Sequence, residues 1–225
     1  MAKMNEQKGA PVEEAVLTTT ETFFLKYRNA FIIGIAAVVI LIAGILLYQQ
    51  FVSGPREAKA STALAKGQEL FANEQYEKAL NGDSASFIGF VKLADEYSGT
   101  DAANLAQLYA GLSYGKLGKW TEAVSCLEKF KGQDDQMISP AALGALGNAY
   151  ANVKDYDKAV SILKKAAAKA DNNTLSPLFL LQAGEILESQ GKNADALELY
   201  KEIKQKYINS MQYQLIDKYI ERVSQ

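Results

Sequence analysis

The sequence predicts an all-α protein, with one N-terminal transmembrane helix followed by a solenoid of helical hairpins and a C-terminal capping helix. Three observations support this prediction. Residues 30–48 form a 19-residue stretch without a charge, one spacing pattern recurs in steps of 36 and 37 residues, and a Ser-Pro pair recurs at a spacing of 37. A fixed period in this range indicates stacked supersecondary units, because one unit cannot bury its apolar face alone.

Residues 1–28 are predicted to form a flexible cytoplasmic tail. This stretch is mostly polar and includes a run of three threonines at 18–20. Chain ends of this kind are poorly ordered unless another part of the protein holds them. The alternative is that the tail lies on a membrane surface, which its few bulky apolar side chains disfavour.

The predicted transmembrane helix covers residues 29–52. Its central part, residues 30–48, would be about 28 Å long, close to the thickness of the hydrocarbon core. It lacks the polar stripe of a helix packed on a soluble core. The alternative is a cleavable signal peptide, but the apolar run is long for one and follows a 29-residue lead. Gly54-Pro55 predicts a break after the helix.

Gly34, Ala37 and Gly44 share one face of this helix. Small residues on one face let a second membrane helix approach closely, so this face is a candidate contact site. Glycine is common in membrane helices in any case, and the alternative is that these residues have no such role.

The predicted orientation depends on basic residues near the span. Lysine and arginine lie at both ends, as Lys26, Arg28, Arg56 and Lys59. By the positive-inside rule the bias is small, and Lys3 and Lys8 tip it toward a cytoplasmic N-terminus. We therefore expect a bacterial inner-membrane protein whose residues 56–225 lie in the periplasm.

Residues 56–225 contain about four copies of the spacing pattern. A glycine opens each copy and an alanine follows 12 residues later; the glycines are Gly67, Gly111, Gly147 and Gly184, and the alanines are Ala79, Ala123, Ala159 and Ala196. A glycine inside a helix costs about 1 kcal/mol relative to alanine. We therefore expect each glycine to mark a close approach of two helices, with the alanine as its small partner.

Capping signals set the starts of the helices. Thr100 is predicted to cap the first helix of the second repeat. Ser139-Pro140 and Ser176-Pro177 predict the next two starts, with serine as the N-cap and proline at the first helical position. The predicted repeats begin near residues 60, 104, 140 and 177.

Turn signals set the ends of the first helices. Gly118 and Gly191 each lie seven residues after the glycine that opens a copy, and predict a left-handed residue there. Lys154 occupies that place in the third repeat and predicts a different turn. An apolar stripe that includes Tyr213 and Ile216 predicts a capping helix at 211–223.

The composition argues against several classes of protein. The net charge is −2, so there is no strong basic field to hold nucleic acid. The chain has no histidine and one cysteine, which leaves neither a thiolate–imidazole pair nor a zinc cluster. We therefore expect no enzyme activity, no metal and no cofactor.

The spacing of the anchors resembles that of the tetratricopeptide repeat (TPR), a helix–turn–helix unit of about 34 residues. In that fold the first helix of each repeat lines the inner, concave face. The resemblance implies a partner-binding surface at Leu105, Leu108, Leu112, Gly144, Asn148, Ala151, Leu178 and Leu181. Such an apolar groove can receive a helix or an extended segment. The alternative is that a neighbouring helix of the same chain fills it.

A short tail, one membrane helix and a TPR solenoid together resemble the YfgM-type family of bacterial inner-membrane proteins. The resemblance implies an ancillary subunit of the Sec translocon, which works with a membrane-anchored periplasmic chaperone of the prolyl-isomerase type. It implies no catalytic residue in this chain. The alternative is a TPR scaffold for another assembly of the cell envelope.

Overall fold

A computed structural model of the chain describes residues 13–83 and 86–224. Every regular element in these ranges is helical and no strand occurs there. The predicted tail residues 1–12 lie outside the described ranges. The chain forms two compact units, Met1–Pro55 and Arg56–Gln225.

Helix α1 spans Glu13–Tyr48. Residues 13–28 are therefore helical, whereas the sequence predicted a flexible tail. Once an apolar stretch has nucleated a helix, each added residue gains a hydrogen bond at little further cost, which allows the helix to extend into a polar flank.

The helical backbone does not break at Gly54-Pro55, in contrast to the prediction. A π-helical turn, Gln49–Ser53, follows α1 and leads into α2, Gly54–Ala72. Pro55 has no N–H to donate and its ring crowds the preceding turn. The wider π turn just before it is a known way for a helix to accommodate such a residue.

The helix from Lys26 to Ala72 is long enough and apolar enough to cross a membrane. Its most apolar window has a mean hydropathy of 3.1, and none of that window is buried within the chain. A core helix of a soluble domain would be mostly buried, so the surface of this segment is available to other surroundings.

The second unit is a series of helical hairpins. After α2 come α3 (Tyr76–Asn81), α4 (Phe90–Glu96), α5 (Asp101–Lys116), α6 (Trp120–Lys129), α7 (Ile138–Asn152), α8 (Tyr156–Ala170), α9 (Ser176–Ser189), α10 (Asn193–Lys206) and α11 (Ile216–Val223). The hairpins α5–α6, α7–α8 and α9–α10 are the second to fourth predicted repeats. Consecutive helices pack on one another and bury an apolar core along the unit.

The repeated glycines mark close approaches of paired helices, as predicted. A Cβ on Gly111 would lie 2.5 Å from the Leu127 side chain, and one on Gly147 would lie 2.7 Å from Leu163. On Gly184 it would lie 2.3 Å from the Tyr200 ring. In these three repeats the closest partner is thus the residue 16 positions after the glycine, rather than the predicted alanine. The backbone carbonyls of Ala123 and Ala159 also lie close to Gly111 and Gly147, respectively. In the first repeat a Cβ on Gly67 would lie 2.4 Å from the ring of Phe90 on α4, so the predicted partner Ala79 is wrong there too.

The turn after the first helix is the same in all four repeats. Gly118 and Gly191 have φ angles of 71° and 72°, which confirms their predicted left-handed conformation. Lys154 has φ 65° and Glu74 has φ 58°, so the prediction of a different turn in the third repeat is wrong. In each turn the next N–H donates to a carbonyl five residues earlier. This Schellman-type bond fixes the turn whatever residue occupies it.

Two helix starts depend on residues that the sequence analysis missed. Thr100 caps α5 as predicted, with its hydroxyl accepting from the N–H of Ala103 at 3.1 Å. Ser139 and Ser176 lie buried inside the first turns of α7 and α9 and are not side-chain N-caps. The side chain of Asp135 accepts instead from the N–H of Ile138, the first residue of α7, and that of Asn172 accepts from the N–H of Leu175, just before α9. Each acceptor lies four residues before a serine.

The C-terminal end is closed by a helix shorter than predicted. Residues 212–214 form a 3-10 turn, and α11 begins only at Ile216, which is 1% exposed. Arg222 of α11 lies 2.5 Å from the carboxylate of Glu188 on α9, and the Tyr200 hydroxyl donates to the same carboxylate at 3.1 Å. The pairing with Arg222 lowers the pKa of Glu188. Tyr213, predicted to lie in the apolar stripe, is 39% exposed.

Candidate protein-interaction surface

The eight predicted partner-binding residues all lie on the first helices of the second to fourth repeats, α5, α7 and α9. Six of them are half-buried and retain some exposed surface, namely Leu105, Leu112, Asn148, Ala151, Leu178 and Leu181. The other two, Leu108 and Gly144, are buried. The predicted surface therefore exists only in part.

Leu108 belongs to the core. Its side chain is 8% exposed and packs in one cluster with Ala142 and Leu146 of α7. The expectation that Leu108 is an exposed residue of the inner face is wrong, because α7 packs directly against this side of α5. A partner could not reach it without separating the two repeats.

Gly144 is covered by the next repeat. A Cβ on Gly144 would lie 2.2 Å from the ring of Phe179 on α9. Phe179 is itself only 4% exposed, so its ring fills the space over Gly144. At this point a neighbouring helix of the same chain occupies the groove, which was the alternative left open by the sequence.

Leu112 and Asn148 do meet, in a groove of about 250 Å³ between α5, α6 and α7. We call this the inner groove. Trp120 and Ala145 supply further apolar wall, and Lys116 supplies a cation. The Trp120 ring packs over Gly115, where a Cβ would lie 3.2 Å from it. An apolar pocket with one amide and one ammonium group suits a bulky apolar side chain next to a polar or acidic group.

Lys116, Trp120 and Ala145 also line the inner groove, and none of them is among the predicted partner-binding residues. Trp120 is the first residue of α6. Its indole does pack, but it also lines the groove, and a tryptophan at the start of a second helix was the signal available. That Lys116 on α5 and Ala145 on α7 line the same groove can be predicted only when the angle between those helices is known.

The remaining predicted residues lie away from the inner groove. Leu105 packs against the N-terminal core cluster, whereas Leu178 and Leu181 pack against the C-terminal one. Ala151 packs against the middle cluster. The eight residues therefore form a discontinuous surface, of which Leu112 and Asn148 are the part that converges.

Comparison with known proteins identifies the family. The model of the tetratricopeptide repeat-like domain matches residues 21–224. The chain belongs to this family. This TPR protein is also similar in fold to a crystal structure of nearly identical TPR-like repeats from Podosopora anserina, described as those of a kinesin light chain. The TM-score is 0.54 with 16% identity, over 74% of this chain and 85% of that one. At that identity the likeness shows the fold alone. No curated protein matches the chain.

The TPR fold is a protein-interaction fold. Within residues 13–83 and 86–224 no group of three or more histidine, cysteine, aspartate or glutamate side chains could hold a metal ion. Cys126 is half-buried, and burial raises the pKa of its thiol. A raised pKa keeps the thiol protonated at neutral pH, so Cys126 is a poor nucleophile.

The predicted contact face of α1 is open within this chain. A Cβ on Gly34 or on Gly44 would meet nothing within 4 Å, and Ala37 is exposed. Gly34 lies in an apolar depression whose walls include Tyr27, Ile35 and Val38. The contact of this face with another membrane helix stays a prediction.

Proposed function

We propose that this TPR protein is a membrane-tethered interaction module of the bacterial inner membrane, an ancillary subunit of the Sec translocon that works with a membrane-anchored periplasmic chaperone. The observation that supports a tether is the apolar segment of α1, whose most apolar window is not buried within the chain. The family match begins at residue 21 and so includes this segment together with the repeats. A TPR scaffold for another envelope assembly is the alternative.

In the proposed arrangement α1 spans the membrane with its N-terminus in the cytoplasm, and the repeats bind protein in the periplasm. The inner groove is the proposed binding surface, because Leu112 and Trp120 offer apolar area next to the polar groups of Lys116 and Asn148. A buried aromatic anchor with polar neighbours is a common form of protein-binding hot spot.

Photocrosslinking in membranes tests the proposed partners. A photoreactive phenylalanine analogue replaces Lys116, which lines the inner groove and is exposed, and in a control it replaces Lys201, which is exposed on α10. We expect adducts with translocon subunits or with a membrane-anchored chaperone from position 116 only. Adducts with other envelope proteins would favour the alternative scaffold, and equal adducts from both positions would argue against the inner groove.

Thiol labelling tests the proposed topology. In a Cys126→Ser background, Ala10→Cys in the tail should be shielded from a membrane-impermeant reagent in cells with an opened outer membrane. Asn173→Cys, in the exposed α8–α9 turn, should be labelled. The reverse pattern would contradict the periplasmic location of the repeats.

A further inference from the structure

A second groove lies on the repeats, and its lining shares only Leu127 with that of the inner groove. It runs between the second helices α6 and α8, over α7, and has a volume of about 480 Å³. We call it the outer groove. Phe130, Leu143, Leu146 and Ile162 contribute apolar surface to it. Phe130, Leu143 and Ile162 are only half-buried, so part of each side chain faces the groove rather than the core.

One rim of the outer groove is basic. Lys165 and Lys169 line it from α8, and a spacing of four residues puts both on one side of that helix. Neither belongs to an ion pair among the described residues, unlike Lys158 on the same helix, which pairs with Asp155. Two lysines beside an apolar floor form an electrostatic site for a carboxylate.

The other rim carries an acceptor. Glu128 of α6 lines the groove and accepts a hydrogen bond from the hydroxyl of Tyr150. The carboxylate is therefore held in place, and its remaining acceptor capacity is available to a donor in the groove. The outer groove thus presents cations on one side and an anion on the other.

This combination fits a peptide better than an anionic lipid. A peptide segment supplies apolar side chains for the floor, a carboxylate for the two lysines, and backbone N–H donors for Glu128. An anionic phospholipid supplies acyl chains for the floor and a phosphate for the two lysines. Its acyl chains have no hydrogen-bond donors, so Glu128 would face an apolar part without compensation. The volume lies in the range of sites that hold small ligands, enough for a few side chains rather than a whole helix.

We propose that the outer groove is a second docking site, which takes a short peptide segment of a protein partner with two bulky apolar residues next to an aspartate or glutamate. Apart from Leu127, its lining residues differ from those of the inner groove, and it does not depend on the translocon as partner. A TPR protein with both sites would hold two segments at once, and so would bridge proteins rather than bind only one.

Peptide display on the full chain in an uncharged detergent tests this proposal. Short random peptides are selected for binding, and the enriched ones are then measured by fluorescence anisotropy against two variants. In the first, Lys165→Glu and Lys169→Glu reverse the basic rim. In the matched control, Lys164→Glu and Lys201→Glu make the same change in net charge at exposed positions that do not line the groove.

We expect enriched peptides that combine apolar residues with an acidic one. Their affinity should fall about tenfold or more in the rim variant, should stay within about twofold in the control, and should weaken at high salt. A Leu112→Ser variant, which alters the inner groove, should leave the affinity for these peptides unchanged. Circular dichroism checks that each variant is folded.

Three results would overturn the proposal. The first is that the selected peptides lack acidic residues, or that the rim variant binds all of them as tightly as the wild type does. The second is equal weakening in the rim variant and the control, which would indicate a general charge effect. The third is displacement of the bound peptides by a short-chain phosphatidylglycerol, together with peptide affinities that do not depend on the peptide sequence. That result would indicate a lipid site. If position 116 gives no crosslinks to translocon subunits, but the rim variant still weakens peptide binding as expected, only the proposed function is contradicted.

Discussion

Gly184 in the repeats and Gly44 in α1 both lie in the middle of helices, yet their surroundings differ. A methyl group on Gly184 would meet the Tyr200 ring at 2.3 Å, and Tyr200 is fully buried. A methyl group on Gly44 would meet nothing within 4 Å. The same residue type therefore marks a close approach in one unit, and in the other leaves a surface that residues 13–83 and 86–224 do not cover.

The leucines of the two units show the same contrast. Leu108 in α5 is 8% exposed and touches core residues of the next repeat, whereas Leu41 in α1 is 66% exposed. The core residues of the repeats are thus held by the chain itself. Those of α1 depend on their surroundings, which for a proposed membrane span are lipid or another helix. Substitutions in the repeats should therefore change folding stability, and matched substitutions in α1 should not.

The largest expected effect comes from Leu108→Glu. It places a carboxylate without a partner among apolar side chains, which costs about 3–5 kcal/mol. Thermal unfolding of the full chain in detergent, followed by circular dichroism, should show a much lower melting temperature for the repeats. The matched Leu41→Glu should leave that transition in place. An unchanged transition in Leu108→Glu would mean that Leu108 faces solvent and that α5 and α7 are packed differently.

Gly184→Ala should cost about 1–3 kcal/mol, because the added methyl overlaps the Tyr200 ring. The ring cannot move freely, since its hydroxyl donates to Glu188. Gly44→Ala is the matched control and should shift the unfolding of the repeats by less than about 0.5 kcal/mol. Urea unfolding measures both. A neutral Gly184→Ala would show that α9 and α10 lie further apart than the contact requires.

Asp135→Ala should cost about 0.5–2 kcal/mol through loss of the acceptor at the start of α7. The Ser139 hydroxyl, with three backbone N–H groups, lowers the pKa of Asp135 to about 2. A lowered pKa stabilises the fold fully above the unfolded value of about 3.9, and this contribution is lost as the pH falls through the folded value. The difference between wild type and variant in urea should therefore shrink between about pH 4 and pH 2.

The control for this measurement is Asp134→Ala, which removes the neighbouring carboxylate at an exposed position. It should leave the free energy of unfolding nearly unchanged. Equal losses in both variants would mean that the cost comes from the flexibility of the loop rather than from the cap.

Lys154→Gly should give the smallest effect, and with the opposite sign. Lys154 has a left-handed φ of 65°, which costs a residue with a Cβ about 1–2 kcal/mol, whereas glycine adopts it freely. Glycine also costs more conformational entropy on folding, so the free energy of unfolding, measured with urea, should rise by about 0.5–1 kcal/mol. Lys154→Ala keeps the Cβ and should give no gain. A loss of stability in Lys154→Gly would mean that the lysine side chain itself stabilises the turn.

The sequence predicted the repeats well because their signals are local and recur. Gly111, Gly147 and Gly184 each meet a residue 16 positions later in the same hairpin, and a contact within one hairpin repeats with the spacing of the chain. Gly118 and Gly191 identified the turn for the same reason. The error at Lys154 arose because the turn is fixed by backbone hydrogen bonds, which the residue type at one position does not reveal.

The chain's own sequence therefore determined the all-helical class, the hairpin period, the apolar segment and the family. The tertiary structure alone decided which residues of the inner face remain accessible, because that depends on how each repeat packs on the next. Leu108 and Gly144 are covered by α7 and by Phe179, from segments with no local relation to them. Leu112, Trp120 and Asn148 meet only because three helices cross at one place, and a spacing pattern along the chain does not contain that angle.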